Sequence, residues 1–195
     1  MSTLIPLVFS SGWASGVNAY LVVLVLGLID RYGDFADIPD VLGRTDVLIA
    51  AALLYAMEFV ADKIPYLDSA WDLVSTFIRP TVAAAIGVAV GMQQDTTAWQ
   101  TIGLAGLGGG TALASHSVKA GSRLAINSSP EPITNTAASL VEDGVVVGVV
   151  VLLLNHPWIA LLITALLLIL GLTTIWWLMG RIRNGWRRWK GRPIT

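Results

Sequence analysis

The sequence predicts an all-α protein that crosses a membrane several times. Hydrophobic residues make up 55% of its 195 positions and charged residues only 13%, whereas an average soluble domain has about 45–50% apolar and about 25% charged residues. The apolar residues form about six runs along the chain, and no composition change divides it. We therefore predict one polytopic transmembrane helical bundle, because only lipid solvates so much apolar surface.

Each of the six runs is predicted to be a short or interrupted helix. Residues 158–179 are uncharged and mostly apolar, and at about 1.5 Å per residue they cross a hydrocarbon core of about 30 Å. The other candidates cover about residues 4–29, 46–63, 80–92, 98–119 and 136–154. Several of these are short for a spanning helix, so spanning and re-entrant arrangements both stay open.

The loop charges predict the orientation of the bundle. With the N-terminus in the cytoplasm, ten of the twelve basic residues fall on the cytoplasmic side, as the positive-inside rule requires. The start of the chain lacks the basic residues of a cleaved signal peptide, so we expect its apolar run to be retained. Both termini are predicted to be cytoplasmic.

A cluster of basic residues at the end of the chain separates a tail from the transmembrane domain. We predict a single transmembrane domain over residues 1–180 and a basic, Trp-rich cytoplasmic tail over residues 181–195. Because the tail directly follows an apolar run, it favours contact with anionic lipid over binding of nucleic acid. Its basic residues, the predicted lipid interface, are Arg181, Arg183, Arg187, Arg188, Lys190 and Arg192.

Glycine pairs four residues apart recur in the apolar runs and predict close helix packing. The pairs are Gly12 and Gly16, Gly87 and Gly91, Gly106 and Gly110, and Gly144 and Gly148. Most of this packing is expected inside the bundle, and contact between copies in a homo-oligomer is the alternative. An offset of 57 residues superposes Gly87 and Gly91 on Gly144 and Gly148. This offset suggests an internal repeat of a helix pair, an arrangement that would favour a transporter.

Ionisable residues cluster at matching helical positions. Glu58 and Asp62 lie four residues apart and share one helix face, while His116, Lys119 and Arg123 share another at spacings of three and four. Two further charged groups, at Arg79 and at Glu142–Asp143, are expected to open their helices at the cytoplasmic side. A charge at the centre of a membrane helix costs at least about 2.5–3.5 kcal/mol on insertion scales, so these groups should pair or face water.

Two interpretations of the charged residues stay open. They form salt bridges that fix the helix register, or they line a hydrated cytoplasmic-side cavity for an ion or small polar solute. Asparagines could add amide ligands where helices are interrupted. The candidate substrate- or ion-binding residues are Asn18, Glu58, Asp62, Lys63, Arg79, His116, Lys119, Arg123, Asn127, Asn135, Glu142 and Asp143.

Asp68 and Asp72 receive a separate interpretation. They share one face of the segment from Leu67 to Phe77, which also has large apolar residues for contact with lipid. The segment is therefore predicted to be an amphipathic helix on the membrane surface.

Enzymatic functions receive no support from the sequence. It has no cysteine and lacks the HExxH, GxSxG and phosphate-loop patterns. We therefore expect no catalytic residues, no metal and no cofactor.

The motifs together resemble a known family. SGVNAY, EFVADKIPYLD, WDLVSTFIRP, the triple glycine, HSVKAGSR, Asn127, Asn135 and SLVED resemble a bacterial integral membrane protein family known as domain of unknown function 4126, over about residues 10–155. The resemblance implies that the charged clusters belong to the shared core of the family and that the chain lies in a bacterial inner membrane. It implies no activity.

Two functions are therefore expected as alternatives. The first is a small transporter or channel-like protein for an ion or small polar or anionic solute. The second is a non-transporting membrane module that binds anionic lipid headgroups or a partner membrane protein. Membrane lipids are the expected partners in both cases, and nucleic acid is not.

Overall fold

A computed structural model describes residues 3–33, 35–64, 66–126 and 132–190, leaving out the side chains of residues 125, 132 and 182–190. Within these ranges the chain is helical, without strands, and the prediction of an all-α bundle of six helices is confirmed. A 3-10 turn at Asp40–Gly43 connects the first two helices. The helices are α1 Leu4–Tyr32, α2 Thr45–Ala61, α3 Leu67–Gln93, α4 Ala98–Ile126, α5 Pro132–Asn155 and α6 Pro157–Lys190.

Four of the described helices are long and apolar enough to cross a membrane. They are α1, α3, and the segments Ile133–Asn155 of α5 and Pro157–Arg181 of α6. Helix α2 has 17 residues, so it is slightly shorter than a spanning helix of about 20 residues. Helix α4 has 29 residues but contains His116, Lys119 and Arg123. The apolar helices support a membrane location for the chain.

Helix α1 lies at the centre of the bundle. It contacts all five other helices, and 72% of its most apolar window is buried. Helix α6 is the opposite case, since only 11% of its window is buried and its surface carries exposed leucines, isoleucines and tryptophans. An apolar helix surface outside the core is suited to contact with lipid. The residues that α1 contributes therefore lie deep in the protein.

Glycines allow α4 to pack directly on α1 and α3. A Cβ atom on Gly12 would lie 2.7 Å from the carbonyl oxygen of Gly108, and a Cβ on Gly108 would lie 2.6 Å from that of Ala83. A Cβ on Gly16 would overlap the Ala112 carbonyl oxygen. Side chains at these positions would push the helices apart, so the predicted role of glycine in packing within the bundle holds for these residues.

Other glycines of the four-residue pairs face open space. A Cβ on Gly106, Gly110, Gly144 or Gly148 would meet no atom within 4 Å, whereas one on Gly87 would lie 2.5 Å from the Leu104 carbonyl oxygen. The pairs that suggested a repeat therefore have different surroundings. The repeat of a helix pair stays a prediction, as does a homo-oligomer.

The predicted surface helix around Asp68 and Asp72 is wrong. These residues belong to the first half of α3, which continues through Pro80 to Gln93, and both acids are buried. Arg79 likewise lies about three turns inside α3 rather than at a helix start. Proline removes one backbone donor without ending this helix, because the surrounding bundle holds both halves in place.

Candidate intramembrane ion-pair site

The site is built around a break in the central helix. Asn18 lies midway along α1 and has the non-helical angles φ −151° and ψ 95°. Its side-chain oxygen accepts a hydrogen bond from the Leu21 backbone N–H at 3.0 Å, which is the geometry of a helix N-cap. In an unbroken helix this N–H would instead bond to the carbonyl of Val17. Asn18 therefore starts a new helical segment in the middle of α1.

The break frees two backbone carbonyls, and cationic side chains bind both of them. Lys119 Nζ donates to the Val17 oxygen at 3.0 Å, and Arg79 Nη1 donates to the Gly16 oxygen at 3.2 Å. A buried carbonyl without a donor would cost free energy comparable to a lost hydrogen bond. The side chains of α3 and α4 thus replace the lost helical hydrogen bonds of α1.

Arg79 is fully buried and connects α2, α3 and α4. Its Nη2 atom bonds to Glu58 and lies 3.2 Å from Asp72 Oδ1, so two carboxylates share one guanidinium nitrogen. Its Nη1 atom also lies 2.7 Å from His116 Nδ1. Because arginine can only donate, Nδ1 must be the unprotonated nitrogen of the imidazole. The proton of a neutral His116 is then on Nε2, 3.0 Å from the Asp72 carbonyl oxygen.

Lys119 and Arg123 form the second half of the network. Lys119 Nζ lies 2.8 Å from Asp62 Oδ2 and 3.4 Å from Glu142 Oε2. Arg123 binds Glu142 through two nitrogens, at 2.6 Å from Nη2 and 3.3 Å from Nε, and its Nη1 lies 3.7 Å from Asp68 Oδ2. These pairs join α2, α3, α4 and α5. The side chains of five helices therefore meet at the break in α1.

Asp143 differs from the other buried acids in its partners. Asn18 Nδ2 donates to its Oδ1 at 3.0 Å, and the Tyr55 hydroxyl donates to its Oδ2 at 3.2 Å. Among the described residues, no lysine, arginine or histidine nitrogen lies within 4.0 Å of this carboxylate. Only neutral groups therefore hold Asp143.

Lys63 lies at the edge of the network. Its ammonium donates to the Phe59 carbonyl at 2.9 Å and to Ser139 Oγ at 3.3 Å. It also lies over the Phe59 ring, 3.0 Å from the centroid, as in a cation–π contact. Ser139 is one helical turn from Asp143 on α5. In the part of the chain that the structure describes, Lys63 thus has no carboxylate oxygen within 4.0 Å, and the serine that it contacts lies one turn from Asp143.

Negative charge exceeds positive charge in this site. Among the described residues of the site, six acids oppose three buried cations and Lys63, and with His116 neutral their formal charge is −2 when every acid is ionised. Four carboxylate oxygens, Glu58 Oε2, Asp62 Oδ1 and both oxygens of Asp72, are buried without a hydrogen-bond partner among the described residues, although Asp72 Oδ1 lies 3.2 Å from Arg79 Nη2. Uncompensated carboxylates are costly in a low-dielectric interior. The arrangement is therefore suited to a positive ligand.

A small pocket leads to the site between α1, α4, α5 and α6. Its volume is about 180 Å³, and Lys119 and Glu142 contribute polar groups to a wall that is otherwise mostly apolar. Among the described residues, the charged side chains of the site contact one another directly. Among the ion-paired side chains of the site, Glu142 is the most accessible, with 20% of its side chain exposed.

A family model for a domain of unknown function (DUF4126) matches residues 5–177. The match covers most of the chain, including every described residue of the site. The chain belongs to this family. The resemblance found in the sequence is thereby confirmed, and the DUF4126 match stops short of the basic tail. No curated protein and no solved structure matches the chain.

Most of the candidate residues of this DUF4126 chain converge. Asn18 lies in the network, and Lys63 lies at its edge. The other candidates in the network are Glu58, Asp62, Arg79, His116, Lys119, Arg123, Glu142 and Asp143. Asn135 donates to Asp68 Oδ2 at 3.2 Å. Asn127 lies outside the described residues, as does Arg192, and the side chains of Arg183, Arg187, Arg188 and Lys190 are not described.

The structure corrects the position of the clusters and adds members to the site. Glu142 and Asp143 do not open α5, because this helix begins about three turns earlier at Pro132. Tyr55, Asp68 and Asp72 belong to the site although the sequence analysis did not place them there. A signal existed for Asp72, since it lies seven residues before Arg79 and so on the same helix face.

Proposed function

We propose that this protein is a small transporter or channel-like protein that moves an ion or small polar solute across a bacterial inner membrane. The observation that supports it is the break of α1 at Asn18, where freed carbonyls and buried charges of four other helices meet. Transporters often build their sites from discontinuous helices near the middle of the membrane. Both termini are cytoplasmic in this proposal, and the protein catalyses no reaction.

The number of buried charges also supports transport over a purely structural role. Replacing a buried ion pair by apolar residues of similar volume is often neutral or even stabilising. A network of nine ionic side chains is therefore a poor way to gain stability alone. Ionisable residues at membrane depth more commonly belong to substrate or ion pathways.

A flux assay with Glu142→Gln tests this proposal. The full chain is reconstituted in vesicles, and uptake of protons, sodium, potassium, acetate and phosphate is measured. We expect uptake of at least one of these above protein-free vesicles, and a reduction of about tenfold in the variant, equivalent to about 1.4 kcal/mol. The reason is that glutamine keeps the shape but removes the charge that Arg123 and Lys119 face in the pocket.

Asp95→Asn is the matched control. Asp95 is an exposed acid between α3 and α4, and its φ of 50° is a conformation that asparagine also tolerates. Its flux should equal that of the unchanged protein. If both variants transport as well as the original, or if no solute enters above background, the proposal is wrong.

A second candidate function is a membrane module that binds anionic lipid headgroups or a partner protein. It is favoured by the dense direct pairing in the site and by Arg181, whose guanidinium lies 4.1 Å from the centroid of the Trp177 ring. Arginine and tryptophan at a helix end are typical of the membrane interface.

Removal of residues 182–195 tests this second function. Basic residues near the membrane surface contribute about 1 kcal/mol each to binding of anionic lipid. We therefore expect truncated protein to retain much less phosphatidylglycerol in native mass spectrometry, while Glu142→Gln retains as much as the full chain. Equal retention after truncation would contradict a lipid-binding role of the tail.

A further inference from the structure

Asp143 combines three features that are found together in no other described acid of the site. It lies midway along α5, it faces the break in α1, and it has only neutral hydrogen-bond donors. Only 9% of its surface is exposed. A buried carboxylate without a cation is unfavourable in its charged form unless hydrogen bonds or a nearby ligand compensate. The surroundings of Asp143 therefore favour a group that changes its charge.

The hydrogen bonds of Asp143 suit both of its charge states. When it is ionised, both oxygens accept, from Asn18 Nδ2 and from the Tyr55 hydroxyl. When Oδ2 carries a proton, it can donate to the Tyr55 oxygen, because a phenol is both donor and acceptor. Asn18 keeps its bond to Oδ1 in both states. Proton uptake at this position therefore reverses the direction of the hydrogen bond with Tyr55 and keeps the number of hydrogen bonds to Asp143 the same.

Charged groups from each neighbouring helix face this carboxyl group. Asp62 and Lys63 follow directly after the end of α2, and α4 contributes Lys119, all within electrostatic range. Glu142 is its neighbour on α5. The N-terminal end of the second segment of α1 also lies at Asn18, and its partial positive charge favours the ionised form. These opposing influences allow the group to release the proton again.

We propose that Asp143 is the residue that binds and releases a proton in this protein, and that the proton is the transported or coupling ion of the proposed transporter. A proton from water forms an O–H bond with Oδ2, and the Tyr55 hydroxyl rotates to accept from it. Tyr55 is half-buried on α2. This inference rests on the proposed function for its transport role, whereas proton binding itself is measurable without transport.

Infrared spectroscopy of the full chain in lipid nanodiscs measures this proton directly. During titration from alkaline to acidic pH, we expect a protonated-carboxyl band to appear that is missing in Asp143→Asn. Asparagine has the same shape and can accept from Asn18 and donate to Tyr55, so this variant should fold. Asp95→Asn is the matched control, because Asp95 is an exposed acid outside the site, and it should keep the band.

Tyr55→Phe provides a second readout that leaves Asp143 in place. Loss of the phenol removes the partner of Oδ2, so the band should shift in frequency and its midpoint should move. A band that is unchanged in both variants would overturn the inference. A band that disappears in sodium chloride but not in choline chloride would identify sodium as the ligand and would also overturn it.

Proton flux into vesicles separates this inference from the proposed function. If both are correct, Asp143→Asn lowers proton flux to that of protein-free vesicles. A titrating band in a protein that moves no solute would contradict transport while proton binding stands. Proton flux that persists in Asp143→Asn would contradict the role of Asp143 while transport stands.

Discussion

Replacing Arg79 by methionine should destabilise the protein by about 3–5 kcal/mol, the usual cost of removing one partner from a buried ion pair. Glu58 and Asp72 would lose the guanidinium that they share, and the Gly16 carbonyl would lose its donor at the break in α1. Methionine fills a similar volume, so lost charge and hydrogen bonding dominate the effect. Unfolding in mixed micelles, followed by tryptophan fluorescence, measures the change.

Arg44→Met is the control for this substitution. Arg44 pairs with Asp46 at 2.7 Å, but both side chains are more than 60% exposed. Exposed pairs contribute about 0–1 kcal/mol, so the unfolding curve should hardly move. Equal stability of the Arg79 and Arg44 variants would show that Glu58 and Asp72 do not depend on the charge of Arg79, contrary to the network described above.

The helix-periodic part of the site could be predicted from the sequence. Glu58 and Asp62 share a face because they lie four residues apart, and so do Lys119 and Arg123. A charge in an apolar segment needs a partner, and this requirement correctly brings the four residues together. Local spacing and the cost of burying charge are enough for this inference, because neither depends on how distant helices pack.

The remaining features depend on contacts between distant parts of the chain. The surface helix was predicted because Asp68 and Asp72 share a face in a segment with large apolar residues. In the structure this segment continues as α3 and packs against α4. The sequence placed Asn18 at an interrupted helix, but its partner Asp143 is 125 residues away. Nothing local to Tyr55 indicates a hydrogen bond to that carboxylate.

The second large loss of stability is expected for Gly108→Leu, because α4 packs closely at this position. Gly108 has no room for a Cβ, because such an atom would lie 2.6 Å from the backbone oxygen of Ala83 and 3.2 Å from Val8. Backbone atoms cannot move aside as a flexible side chain can. We expect a loss of about 3 kcal/mol, the upper end of the usual cost of overpacking, measured by the same unfolding assay.

Gly106→Leu provides the comparison that isolates packing. Gly106 lies two residues away on the same helix, and a Cβ there would meet no atom within 4 Å. Both substitutions add the same apolar side chain and gain the same helix propensity, about 1 kcal/mol over glycine. Only the variant at position 108 should therefore be destabilised. If both variants lose stability equally, a leucine at Gly106 must also disturb a close contact. Contact between two copies of the chain would then explain the loss, and packing within one chain would not.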